Sequence, residues 1–81
     1  MAKGNKRVGR ALKALRQRIG YNQTQAAYHA NMSATYLARI ECGHTPLTDG
    51  LLVRFVRGWG VSFEDVARVQ EIGKLKDQSA A

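Results

Sequence analysis

Residues 23–43 read QTQAAYHANMSATYLARIECG, two short helical patterns on either side of Asn31. The first holds Ala26, Ala27 and Ala30, small enough to let a helix pack closely on its neighbours. Asn tolerates left-handed backbone better than any residue except Gly, so Asn31 is the expected pivot of a tight turn. Met32 would plug the corner between the helices and Ser33 would cap the second of them, with Leu37 and Ile40 pointing inward. That leaves Ala34, Thr35, Tyr36, Ala38 and Arg39 facing out or sideways.

Two helices joined in this way form a helix-turn-helix, whose second helix can lie in a DNA major groove. The charge elsewhere agrees. The first forty residues hold eight Lys or Arg and no Asp or Glu, whereas residues 41–81 hold five basic and six acidic side chains. The net charge of +7 therefore comes from the half that carries the motif. A one-sided basic excess suits a polyanion, because attraction to phosphates supplies most non-specific affinity for nucleic acid.

Upstream, residues 1–6 read as a frayed basic arm. A first helix places Val8, Ala11, Leu12, Leu15 and Ile19 on one stripe, and Gly20 supplies the left-handed residue that ends it. Arg7, Arg10, Lys13 and Arg18 fall outside the stripe. Asn22 can cap the next helix reciprocally with Gln25, in the manner of a capping box. Downstream, Gly43 ends the third helix and His44 to Leu47 make a loop. Thr48 is a plausible cap for a fourth helix with Leu52, Phe55, Val56 and Trp59 on one face, stopped by Gly60. Ser62 and Asp65 repeat the capping spacing before a fifth helix through Phe63, Val66, Val69, Ile72 and Leu75. The expected organisation is an arm at 1–6, one DNA-binding domain at 7–75 and a polar tail at 76–81.

A chain of 81 residues holds one domain and one modest core, with no room for a second catalytic or sensing domain. Cys42 is the only cysteine, so no internal disulfide forms and no zinc site is built on cysteines. It reads as a small packing residue. His29 and His44 have no accompanying ligand cluster, so no metal or other cofactor is expected. No nucleophile, His and carboxylate set is visible, so no enzymatic activity is expected. The aromatic platforms of a general RNA binder are missing too. The basic N-terminus is not followed by an apolar signal segment, and no run reaches membrane-spanning length. A soluble cytoplasmic protein with no membrane and no small-molecule partner is the expectation.

These residues together resemble the Cro and cI type of helix-turn-helix domain, found in phage repressors and xenobiotic-response-element-type regulators. The likeness runs from about Val8 to Val66. It rests on Gln23, Ala27, the turn ending in Met32-Ser33, and Leu37, Ile40, Glu41 and Gly43, with Pro46 and the Leu52 to Trp59 stripe agreeing. Thr35-Tyr36 and Leu47-Thr48 are shared with small stand-alone members, including controller proteins of restriction-modification systems. Short Cro-like phage regulators fit almost as well. The family usually has Gly where this chain has Asn31 and Leu where it has Ala26. The smaller side chain gives up about 2–3 kcal/mol of burial unless Tyr28 or Met32 fills the gap.

The resemblance implies an all-α, compact five-helix bundle of the lambda-repressor-like type, with helices 2 and 3 as the helix-turn-helix. It implies that Gln23 and the start of its helix clamp a phosphate, and that Arg16 pairs with Glu41 as a structural ion pair. Arg39 is expected to reach guanine, with Thr35 and Tyr36 meeting a thymine methyl or a phosphate. Ser33 and Ala34 allow close approach. Arg10, Asn22, Thr24 and His44 complete the expected DNA-binding set, and Lys3, Lys6 and Arg7 are candidate phosphate ligands. The expected function is a sequence-specific regulator binding double-stranded DNA as a homodimer on an inverted repeat, with Val69, Ile72 and Leu75 offered for dimer burial. The alternative is the antitoxin of a toxin-antitoxin pair, which binds a toxin protein and autoregulates through the same domain.

Overall fold

The computed structural model describes residues 4–79, and the side chains of residues 4–72. Its described residues form five helices: α1 (Lys6–Ile19), α2 (Gln23–His29), α3 (Ala34–Glu41), α4 (Asp49–Trp59) and α5 (Phe63–Ser79). The all-α bundle expected from the periodicities is the one found. Helix α1 packs on α5 and α3, α2 on α3 and α4, and α4 on α5. The core lies where these pairs meet, with Phe55, Leu12, Leu37, Ile40 and Val66 fully buried at its centre. Burying side chains of this size stabilises the fold by about 1.5–3 kcal/mol each before the entropy of ordering them is counted.

Helix α1 begins at Lys6, one residue inside the expected frayed arm. Asn5 caps it, its Oδ1 accepting from the amides of Arg7 at 2.8 Å and Val8 at 3.1 Å. Lys3 lies outside the described residues. At the other end Gly20 adopts φ +100°, and its amide donates to Arg16 and Gln17. Val8, Leu12 and Leu15 are buried and Ala11 and Ile19 partly so, as the stripe requires, but Arg16 is buried beside them.

Four expectations for the second half need correcting. The Thr48 side chain makes no capping hydrogen bond, although Thr48 does stand at the N-cap of α4. The inner face of α4 is Leu51, Leu52, Phe55 and Trp59, with Val56 only half-buried. Leu51 belongs to it as well, since α4 packs against both α5 and α2 and so buries a face wider than a single stripe. Phe63 is 59% exposed, since it stands at the first residue of α5, ahead of the packed turn that begins near Val66. Helix α5 also continues through Ser79, past the expected end at Leu75.

The Ala26 backbone is held from α4. Trp59 is 4% exposed, and its indole Nε1 donates to the Ala26 carbonyl at 2.9 Å. Its ring lies 4.5 Å from that of Phe55, tilted by 52°. Of the two expected fillers, Tyr28 is 80% exposed, whereas Met32 is half-buried against the core. Gly58 completes the fit: a methyl there would run into the His29 carbonyl, so only Gly lets α4 cross the end of α2 at this distance.

Candidate nucleic-acid interface

The turn between α2 and α3 is built by local chemistry. Asn31 sits at φ +60°, the only non-Gly residue with positive φ among the described residues. The chain doubles back there, and the Met32 amide donates to the Ala27 carbonyl at 2.9 Å. From α4, Arg54 Nη1 donates to the Asn31 carbonyl at 3.3 Å, a clasp that no sequence signal indicated. Ser33 then caps α3, its Oγ accepting from the Tyr36 amide at 3.0 Å. With Leu37 and Ile40 buried, Thr35, Tyr36 and Arg39 fall on the outer side of α3, where Tyr36 is 38% exposed. Residues 35 and 39 are one turn apart on the same face. Ala34 and Ala38 are half-buried, so the helix is slim where it approaches its neighbours.

The start of α2 lies beside this helix. Asn22 Oδ1 accepts from the Gln25 amide at 2.8 Å, and Gln25 Oε1 accepts from the Asn22 amide at 2.9 Å, closing the capping box. Thr24 is exposed. Gln23 is turned inward in part, and its Nε2 donates to Glu41 Oε1 at 2.9 Å. The same carboxylate takes Arg16 Nε at 2.7 Å and Arg16 Nη2 at 3.2 Å, with side-chain exposures of 8% for Arg16 and 3% for Glu41. Arg16 Nη1 donates to the Tyr21 carbonyl at 2.8 Å. One buried ionic network thus joins α1, the loop before α2, the first residue of α2 and the last residue of α3. No buried side-chain polar atom among the described residues lacks a partner, the condition under which a buried charge pair is tolerable.

A fork to one carboxylate plus an amide donor holds both ends of the helix-turn-helix in a fixed relation. The sequence pointed to Arg16 and Glu41, but nothing in its spacing put Gln23 on Glu41.

Exposed cations occur on several elements: Lys6, Arg7, Arg10, Lys13 and Arg18 of α1, Arg39 of α3, Arg54 and Arg57 of α4 and Arg68 of α5, with Arg18 and Arg68 lining a groove between α1 and α5. His44 is exposed too, as are acidic Asp49 on α4 and Glu64 and Glu71 on α5. The His44 amide donates to the Arg39 carbonyl at 2.9 Å, so His44 belongs to the turn that closes α3. Cys42, expected to pack inside, is exposed, because the chain leaves the helix at this residue and turns its side chain to solvent. His29 is exposed and stacks on Tyr21 at 4.8 Å. Val69 is buried at 7% and Ile72 is half-buried, while the Leu75 side chain lies outside those described.

The family model described as a helix-turn-helix domain matches residues 7–70. The chain belongs to the helix-turn-helix family. Its five-helix bundle is the lambda-repressor-like form of that domain, with α2 and α3 as the helix-turn-helix, and double-stranded DNA binding is its biochemical class. Comparison with curated proteins and with solved structures finds no match. Among the described residues of this helix-turn-helix protein no helix is long and apolar enough to cross a membrane. No group of three or more metal-ligating side chains is found among them either.

Proposed function

We propose that the protein is a sequence-specific transcriptional regulator without enzymatic activity, acting as a homodimer on an inverted-repeat operator. The observation that carries this reading is the outer side of α3, where Thr35, Tyr36 and Arg39 stand together on a helix capped by Ser33. Arg39 can donate two parallel bonds to guanine O6 and N7, while Thr35 and Tyr36 suit a thymine methyl or a phosphate. Ser33 and Ala34 lead the helix into the groove. Arg10, Asn22, Gln23, Thr24 and His44 position it through phosphates, which fix register without carrying sequence information. Gln23 retains a second N–H for a phosphate while the first stays on Glu41.

Dimerisation is proposed on area. A single small module buries about 600–1,000 Å² of its surface on DNA, too little for tight specific binding, and two half-sites one helical turn apart double it. The half-buried Ile72 of α5 is the apolar side chain offered to a second copy. Selection of bound sequences from a random duplex pool tests the whole reading. The expected product is a palindromic motif with half-sites about 10 bp apart. A pool that emerges without enrichment, or with a single unrepeated half-site, overturns specific dimeric binding.

A further inference from the structure

The segment leading into α1 crosses the turn that closes α3 in direct backbone contact. A methyl at Gly4 would overlap the Gly43 carbonyl, and one at Gly43 would overlap the Lys6 backbone. Gly43 has φ +84°, which lets the turn present its carbonyl in this direction. The start of α1 is thereby strapped to the end of α3, where a sequence of small and basic residues suggests only a loose arm. Between strap and turn lies a cleft of about 430 Å³, lined by Gly4, Asn5, Lys6, Arg7, Arg10 and Gly43.

Three of those six residues carry cationic side chains and none is acidic. Asn5 already satisfies the amides of Arg7 and Val8, so the cleft attracts an anion through its side chains and not through the helix end. Lys6 and Arg10 are four residues apart on one helix, a like-charge spacing that is unfavourable until an anion sits between them. The cleft is wide enough for a tetrahedral oxyanion, and it lies beyond the C-terminal end of the helix that carries Thr35, Tyr36 and Arg39.

We infer that this strapped cleft holds one phosphate of the DNA backbone, outside the stretch covered by α3, and so fixes the angle at which α3 enters the groove. The inference rests on the reading of the protein as a duplex-DNA binder. It differs from a diffuse basic arm in requiring the Gly4–Gly43 contact as well as the charges.

The test is the salt dependence of binding to a duplex of arbitrary sequence, for the wild type and three variants. Each phosphate contact adds about 0.9 to the slope of log K against log salt. The combined Lys6→Gln, Arg7→Gln and Arg10→Gln variant is expected to lose about 0.9 or more of that slope per protomer. Gly4→Leu, which keeps every charge but lifts the strap from Gly43, is expected to lose about 0.9 as well. A control that removes the exposed cations Lys13, Arg18 and Arg68 as Gln loses less. If Gly4→Leu keeps the wild-type slope, or the control loses as much as the strap variant, the fixed site is overturned and the charges act diffusely. Thermal melts separate a lifted strap from an unfolded protein, and the charge variants decide the matter if Gly4→Leu unfolds. Wild-type protein without affinity for any duplex at low salt overturns the DNA reading itself, a result distinct from binding with unaltered slopes.

Discussion

Gln23 at the first position of α2 donates to Glu41 at the last position of α3, 2.9 Å away, so one carboxylate ties together the two helices expected to meet DNA. Arg16 from α1 supplies the countercharge. The rigidity of the unit therefore depends on a buried group that touches no base.

Removing one charge of that pair leaves the other buried without compensation, at a cost of about 3–5 kcal/mol. Arg16→Ala and Glu41→Ala are each expected to lower stability by that order in urea titrations. Combined, they cost less than the sum, because neither charge is then left alone. Gln23→Ala, which removes one hydrogen bond to a charged group, costs about 1.5–3 kcal/mol or less, since Gln23 is only partly buried. Strict additivity of Arg16→Ala and Glu41→Ala contradicts a shared network.

Trp59 and Ala26 make a second linked pair, and the single Trp of the chain serves as its own fluorescent reporter. Trp59→Phe gives up the bond to the Ala26 carbonyl and part of the ring, lowering stability by about 1–2 kcal/mol. Ala26→Leu is expected to destabilise by about 1–3 kcal/mol, because Ala26 is fully buried and extra methylenes there overpack the core. Stabilisation by Leu at this position shows the site to be underpacked.

Asn31 carries the one left-handed non-Gly conformation among the described residues. Asn31→Gly leaves stability within about 1 kcal/mol of wild type, while Asn31→Val costs about 1–2 kcal/mol or more, since a β-branched residue is poorly accommodated there. Equal melting points for the two variants contradict a turn held by backbone conformation.

What the sequence made legible was local. Gly20, Asn31, Ser33 and Gly60 act through their own backbone or the next few amides, so their residue types announce the helix ends. The inward set of α3 and the Arg16–Glu41 pairing were legible too, the first from spacing and the second from resemblance. Asn5 was missed although it caps in the same way as Asn22, because the basic residues around it suggested a loose arm. Cys42, Phe63 and Leu51 were misread or missed for a different reason. Their burial is set by which neighbouring helix covers them, and periodicity within one helix does not contain that information. The same holds for Trp59 on Ala26, Arg54 on Asn31 and Gln23 on Glu41, all contacts between elements far apart in the chain.

Reading and positioning separate on the outer surface. If Arg39 makes a bidentate contact to guanine, Arg39→Ala costs about 1–3 kcal/mol on the selected operator and relaxes preference at one base position per half-site. Arg10→Ala behaves differently, weakening binding about equally on the operator and on a scrambled duplex, because a phosphate is the same in both. Gln23→Ala is expected to follow Arg10, with its stability loss measured separately so that unfolding is not counted as lost binding. Titrations of the three variants on the two duplexes at one salt concentration suffice. An Arg39→Ala protein that loses the same factor on both duplexes makes Arg39 a phosphate ligand, and sequence discrimination then passes to Thr35 and Tyr36 or to the shape of the DNA.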